Sequence, residues 1–268
     1  MFILLLTATI NPNGMKNAKF SPKEREKMYI DTLNYYIYEF AKFPNESFSL
    51  VFLENSGWDS TTILNNLNRA PNVQIEYIAL NPEEFNIEKG KSYNEMLLID
   101  KGIEQSETIK KGKWFFKVTG RFPILNIYKL LKEVEKRGGN NMQFYGDCKD
   151  HMVYDWLHLP INGHAGECRY YATSVDFYNK NFKGKYKDLC DYEGKLVENL
   201  FLQVIRENKH NKDVHYRFRT QAHLTGSGGH SLGKGLSFFY STNNDSVSQK
   251  CKRAIRQLLR WIIPWWLC

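Results

Sequence analysis

An arginine placed just after an apolar run is well suited to meet an anion. In Trp114-Phe115-Phe116-Lys117-Val118-Thr119-Gly120-Arg121 the aromatic and β-branched residues predict a buried strand over Trp114–Val118. Thr119-Gly120-Arg121 predicts the polar turn that closes it. In an open α/β sheet, ligands lie beyond the carboxyl ends of the strands. Glycine there admits close approach to the backbone, and arginine brings a permanent charge with a planar fork of donors. Thr119, Gly120 and Arg121 are therefore expected to meet an anionic group, a phosphate above all. A strand-ending turn with a solvated arginine is the other reading of these residues.

Three earlier apolar segments end in the same manner. Phe2–Leu6 predicts a first strand closing on Thr7-Ala8-Thr9, and Phe48–Leu53 a second closing on Glu54-Asn55-Ser56-Gly57. Gln74–Leu80 predicts a third, ending near Asn81. Between them, Ser21-Pro22-Lys23-Glu24 has the cap, proline and acidic residue of a helix start, and an amphipathic pattern follows to about Lys42. Thr61–Asn68 and Tyr93–Gln105 also read as helices. Such alternation predicts a mostly parallel sheet with helices on both faces. Four polar strand ends on one edge describe a ligand crevice, with Thr7, Thr9, Glu54, Asn55 and Ser56 beside the Arg121 turn. Gly90-Lys91-Ser92-Tyr93-Asn94-Glu95 precedes the third helix, so its first N–H groups and Lys91 are placed for an anion. Glu95 reads as a ligand to a hydroxyl or as a first-turn carboxylate favoured by the helix dipole.

Past residue 122 the pattern changes. A helix over Ile124–Arg137 leads through Gly138-Gly139 to a short strand, Gln143–Tyr145, and a loop bearing Asp147 and Asp150. Cys168–Ala172 reads as a strand, Ser174–Phe182 and Glu193–Arg206 as helices, and Val214–Arg219 as extended. A Gly-rich turn, Thr225–Ser231, carries His230 among backbone N–H groups suited to an anion nest. Attack by a hydroxyl needs a group to take its proton. Asp147 at a strand end is the first choice, with Asp150 and Glu198 behind it. Capping by the two aspartates, and a helix-face charge at Glu198, remain open readings.

The 268 residues suit one large domain or one with a small appendage. With 42% hydrophobic and 15% aromatic residues the chain has material for a sizeable core. A net charge of +8 favours an anionic partner. Five cysteines, odd in number and with no Cys-x-x-Cys, argue against a disulfide scaffold or zinc site and for a reducing cytoplasm. The histidines have no spacing that specifies a metal. No run approaches the roughly 20 apolar residues of a spanning helix.

The tail, 248–268, holds Lys250, Lys252, Arg253, Arg256 and Arg260, with no acidic residue after Asp245. Ile255, Leu258, Leu259 and Ile262 recur at helical spacing, and Trp261, Trp265 and Trp266 gather at the end. This predicts a basic amphipathic helix lying in a membrane interface. Docking of its apolar stripe on the domain's own core is the alternative.

The strand-end motifs, Gly90–Glu95, Lys117-Val118-Thr119-Gly120-Arg121 and Gly226–Ser231 together resemble bacterial glycosyltransferases of the GT-A type that build capsule, O-antigen or lipooligosaccharide. The resemblance covers roughly residues 1–240. It implies a GT-A-like α/β fold over residues 1–245, with a nucleotide-sugar half (1–122), an acceptor half (123–245) and a membrane-associating tail (246–268). It implies transfer of a sugar from a nucleotide donor, expected to be UDP-linked, to a hydroxyl of a lipid-linked surface glycan at the inner face of the plasma membrane. It also carries over Lys91, Glu95 and His230 to the donor site. Most such enzymes have Asp-x-Asp after the fourth strand to hold a divalent metal, where this chain has Thr119-Gly120-Arg121. A metal-independent or weakly metal-dependent enzyme with no required cofactor is expected, Arg121 and Lys91 offsetting the diphosphate charge; Asp147 and Asp150 are the one displaced acidic pair. A nucleic-acid-binding module is the rival from another class, but the basic residues are dispersed outside the tail and no fingerprint of such modules occurs. A nucleotidyltransferase sharing the same crevice is the second rival.

Overall fold

The computed structural model describes residues 1–12, 14, 18–138, 141–158, 163–225 and 247–262. The chain runs β1 (Phe2–Ala8), α1 (Pro22–Ala41), β2 (Phe48–Glu54), α2 (Ser60–Leu64), β3 (Val73–Ala79), α3 (Gly90–Gln105), α4 (Glu107–Lys111) and β4 (Trp114–Thr119). It continues through α5 (Ile127–Gly138), β5 (Phe144–Tyr145), β6 (Cys148–Asp150), α6 (Met152–Trp156) and β7 (His164–Gly166). The remaining elements are β8 (Tyr170–Ser174), α7 (Val175–Asn181), α8 (Val197–Glu207), β9 (Val214–His215) and α9 (Val247–Ile262).

One sheet, in the order β3-β2-β1-β4-β8-β5-β9, organises the molecule, and β6 and β7 form a separate hairpin. β8 runs against the other six strands, which share one direction. This is the mostly parallel α/β sheet flanked by helices that the alternation predicts. Strands from both halves of the sequence join the same sheet, because β4 pairs with β8 from Trp114↔Ser174 to Val118↔Tyr170.

Both faces of the sheet are covered, so side chains alternate between two apolar layers. Phe2, Leu4, Leu6 and Ala8 of β1 enter one layer with Tyr29, Leu33, Tyr36, Ile37 and Phe40 of α1. Ile3 and Leu5 enter the other, with Met96, Leu98, Ile99 and Ile103 of α3. Helix α1 starts where the sequence indicates: Ser21 and Glu24 form a reciprocal capping box and Pro22 occupies the first turn. The differences from expectation are local. Helix α3 begins at Gly90, three residues earlier than predicted, and β8 begins two residues later than predicted. The alternation along β4 has one consequence for chemistry: Phe116 and Val118 face the α1 layer, Phe115 faces the α3 layer, and Lys117 shares the face of Phe115 while only 1% exposed. Among the described residues, no helix is long and apolar enough to cross a membrane.

Candidate functional site

The carboxyl ends of β2, β1 and β4 lie side by side, with Thr7 opposite Leu53 on one side and opposite Thr119 on the other. Glu54 is fully buried and knits two of the loops together. Its carboxylate accepts from the N–H groups of Ile10 (3.0 Å), Ser56 (2.9 Å) and Trp58 (2.9 Å), and from the Ser56 hydroxyl. The Ser56 hydroxyl in turn accepts from the Asn11 N–H at 2.9 Å. Glu54 and Ser56, expected to touch a ligand, are instead the internal frame of the edge: every carboxylate direction is already filled by the chain's own donors. Asn55 beside them keeps a buried Oδ1 with no hydrogen-bond partner.

Across β1, Gly120 donates its N–H to the Thr7 carbonyl at 2.9 Å. A Cβ at this position would stand 2.9 Å from that oxygen and 3.2 Å from the Tyr29 ring. The glycine therefore serves close packing of β4's turn against β1 and α1, rather than backbone approach by a ligand. Arg121, the next residue, lays its guanidinium 5.3 Å from the Phe122 ring centre. Its Nε and Nη1 are buried and make no hydrogen bond among the described residues. Buried donors are nearly always satisfied, so a cation with two idle N–H nitrogens marks a place where acceptors are missing. Arg25 of α1, 2% exposed, is close by, donating to the Phe20 carbonyl (3.3 Å) and the Thr9 carbonyl (3.0 Å). Burial, and then the charge of Arg121, press its pKa below the usual guanidinium range. An anion placed beside both arginines would relieve this repulsion. Arg25 escaped sequence reading because it lies in a polar stretch of an amphipathic helix, and its neighbour in space is 96 positions away along the chain (121 − 25).

On the other face of the same edge Lys117 is held by three acceptors. Its Nζ donates to Glu95 Oε1 (2.6 Å), the Cys168 carbonyl (2.7 Å) and Thr119 Oγ1 (3.0 Å). Thr7 Oγ1 donates to the same Glu95 oxygen at 2.9 Å, and Thr119 Oγ1 at 3.3 Å. Burial pushes the Glu95 carboxyl up, but Lys117, these hydrogen bonds and the charge of Lys91 outweigh it and hold the carboxyl below its ordinary value. Thr7, Glu95 and Thr119 are thus brought together around Lys117, a lysine in the strand interior. The anion expected at the start of α3 is the chain's own: Asp191 accepts from the N–H of Lys91 at 2.7 Å and of Ser92 at 3.3 Å. Gly90 adopts φ +84°, and a Cβ there would fall 2.6 Å from the Asp191 Cβ. Only the exposed Lys91 side chain remains for a ligand.

The three carboxylates considered for proton transfer separate sharply. Asp147 accepts from Arg260 through both oxygens (2.8 and 2.9 Å), from the Tyr170 hydroxyl (2.5 Å) and from the Phe218 N–H (2.9 Å). A carboxylate so engaged is a structural anchor, and the expectation of a base at Asp147 is corrected accordingly. Asp150 lies on the separate hairpin, gripped by Arg206 (2.6 and 3.0 Å) and His164 (2.7 Å). The Arg206 hydrogen bonds, against some burial, lower its pKa. It too is occupied by partners, and its cation differs from that of Asp147, so the two do not act as an acidic pair. Glu198, at the start of α8, differs from both: its Oε2 is buried and has no hydrogen-bond partner among the described residues. Its charge helps raise the pKa of Cys168, after burial, which places it near the Lys117 group. His230 lies outside the described residues.

The turn after β4 offers no carboxylate, Glu95 is committed to Lys117, and no group of three or more His, Cys, Asp or Glu is placed for an ion among the described residues. Beyond Glu198 an open groove of about 680 Å³ follows α8, lined by Asn199, Gln203 and Glu207 together with Asp155, His164 and Arg206.

No protein-family model matches the sequence, and no curated protein matches it either. Among solved structures, the galactosyltransferase LgtC in complex with donor and acceptor sugar analogues is 12% identical, with 80% of this chain and 73% of that one covered and a TM-score of 0.44. Mouse xyloside xylosyltransferase 1 in its apo form is also 12% identical, over 81% of this chain and 84% of that one, with a TM-score of 0.44. The bifunctional glycosyltransferase WbbM in its apo form gives 12% identity and a TM-score of 0.44 over 81% of this chain, which spans 38% of WbbM. At this identity and TM-score the likenesses do not decide the matter; the fold rests on the sheet order and strand directions above.

Proposed function

We propose that this protein is a glycosyltransferase that binds a nucleotide-sugar donor at the carboxyl edge of β2, β1 and β4. The observation that carries the reading is Arg121, whose buried Nε and Nη1 lack acceptors while Arg25 stands beside it. A diphosphate supplies the missing acceptors and the missing negative charge, and arginine binds it through paired N–H donors. The nearby Asn55 oxygen, also unpartnered, suits an N–H of a base or a hydroxyl of ribose. Fixed cations then do the work that a divalent ion does elsewhere, stabilising the diphosphate as it leaves.

For direct displacement, the acceptor oxygen bonds to the anomeric carbon as the bond from that carbon to the diphosphate breaks. The hydroxyl proton passes to Glu198, whose free Oε2 is the available carboxylate near the Lys117 group. The groove along α8 joins amide, carboxylate and cationic groups of Asn199, Gln203, Asp155 and Arg206 to the apolar Met152 and Leu202, and is the candidate acceptor site. UDP is the expected nucleotide, and a lipid-linked bacterial surface glycan the expected acceptor. The test is to incubate the full chain with a panel of nucleotide sugars and candidate glycans in excess chelator, following nucleotide release and product mass. Release of a nucleoside diphosphate coupled to glycan extension is expected. Pyrophosphate release from a nucleoside triphosphate and a sugar phosphate, with no transfer, would make it a nucleotidyltransferase instead.

A further inference from the structure

His164 stands between two carboxylates that belong to different elements. From β7 its Nδ1 donates to Asp150 of β6 at 2.7 Å, and its Nε2 donates to Asp155 of α6 at 2.8 Å. Carboxylates only accept, and a neutral imidazole has a single N–H, so the two bonds together require the doubly protonated ring. Arg206 of α8 opposes that charge, with Nη2 3.4 Å from Nδ1, but its donors are spent on Asp150 at 3.0 and 2.6 Å. Asp150 therefore keeps a cation whatever His164 does. The Asp155 carboxylate has no other hydrogen-bond partner among the described residues. His151, buried beside them, is held below its ordinary pKa by burial and by the charges of Lys149, Arg217 and His164. It is already neutral where His164 changes state.

Helix α6 depends on this tie. At five residues it is too short to be stable alone. Met152, Trp156 and Leu157 are exposed, so these side chains do little to pack it down. Before its first turn the His151 N–H donates to the Gly163 carbonyl at 3.0 Å, and beyond its last His158 takes a left-handed φ of +51°. Asp155, His164 and Arg206 all line the groove along α8. We propose that His164 is a positioning residue: doubly protonated, it ties α6 to β7 and holds that wall of the groove, and loss of one proton releases the wall. Either neutral tautomer ends the ion pair with Asp155, and the Nδ1–H form also sets a lone pair against that carboxylate. The Asp150 hydrogen bond leads in raising the pKa of His164. The tie is therefore complete below the ordinary histidine value near 6.5 and is lost as pH rises through the raised one. Its consequence for transfer rests on the groove being the acceptor site; the tie itself does not.

Amide exchange of the full chain, read by mass spectrometry from about pH 5.5 to about pH 8.5 and corrected for the intrinsic rate, tests the tie without any substrate. Exchange over 153–158 should speed about tenfold across the range, with the midpoint of the His164 ring titration seen by NMR. Asp155→Asn removes an exposed carboxylate and should exchange at the fast level at every pH, while melting within about 2 °C of wild type at the alkaline end. Glu207→Gln, on the same groove, should leave the wild-type pH dependence of exchange intact. In transfer assays the glycan KM should rise with the same midpoint in wild type and stay flat in Asp155→Asn. Exchange independent of pH in wild type, or a pH dependence that survives Asp155→Asn, would overturn the proposal. So would a KM that stays flat while exchange follows pH, since the wall would then have no part in acceptor binding. A chain that transfers no sugar refutes the transferase reading instead, and the exchange results still decide the tie.

Discussion

Replacing Arg121 with methionine should make the protein no less stable and yet disable it. The guanidinium keeps two buried N–H nitrogens without acceptors, and each unsatisfied buried donor costs about 1–3 kcal/mol. Its charge also disfavours the ionised form of Arg25. Against these stands its contact with the Phe122 ring at 5.3 Å, worth about 0.5–1 kcal/mol at a partly exposed site. Methionine keeps the apolar stem and loses the donors, so the balance favours Arg121→Met by at least about 1 kcal/mol, or at least about 2–4 °C in melting temperature for a chain of this size. Transfer should move the other way. Loss of preorganised donors to a leaving diphosphate removes about 2–4 kcal/mol of transition-state stabilisation, which is about 30- to 900-fold in kcat/KM. Thermal melting and donor-dependent transfer are measured on the same preparation. A variant that melts markedly lower while transferring sugar normally would show that Arg121 belongs to the fold and not to the site.

The buried Lys117–Glu95 pair should behave oppositely. Lys117→Met leaves a half-buried carboxylate, 24% exposed, without its cation and should cost about 1–3 kcal/mol in urea unfolding at neutral pH, with Glu95→Gln restoring much of it in the double variant. The lowered Glu95 pKa makes the wild-type advantage present above the ordinary carboxylate range and lost as pH falls through the depressed value. Glu198→Gln should fold normally, bind nucleotide and lose about a hundredfold or more in transfer, read by single-turnover kinetics. His164 lies between Asp150 and Asp155, and the Asp150 hydrogen bond leads in raising its pKa against slight burial. Its stabilising contribution is therefore full below the ordinary histidine value near 6.5 and is lost as pH rises through the raised one. Melting temperature against pH should flatten over that window in His164→Gln.

What the sequence made legible was local. The alternation of apolar residues, the Ser21–Glu24 cap and the polar strand ends are read within a few residues, and they located the sheet and the carboxyl ends of its strands. What stayed hidden depends on partners far away along the chain. Asp191 fills the start of α3 from 100 positions beyond Lys91, and Arg260 occupies Asp147 from 113 positions away. Local chemistry marked the start of α3 as suited to an anion and Asp147 as a base, but could not say that the chain itself supplies the partner of each. Lys117 lies within its strand, and the sequence around it does not show that the covering helix brings Glu95 to it. The tail was legible as an amphipathic helix, while the face it turns to the body depended on Asp147, Arg219 and Gln221 from elsewhere in the fold.

The central claim is that fixed arginine charge at the carboxyl edge of β2, β1 and β4 holds a nucleoside diphosphate. Calorimetric titration of the full chain with UDP and with uridine, both in excess chelator, tests it most directly. The account predicts that UDP binds at least thirtyfold more tightly than uridine, and that Arg121→Met removes most of the difference. Equal binding of the two, or a preference for UDP that survives Arg121→Met unchanged, would contradict it.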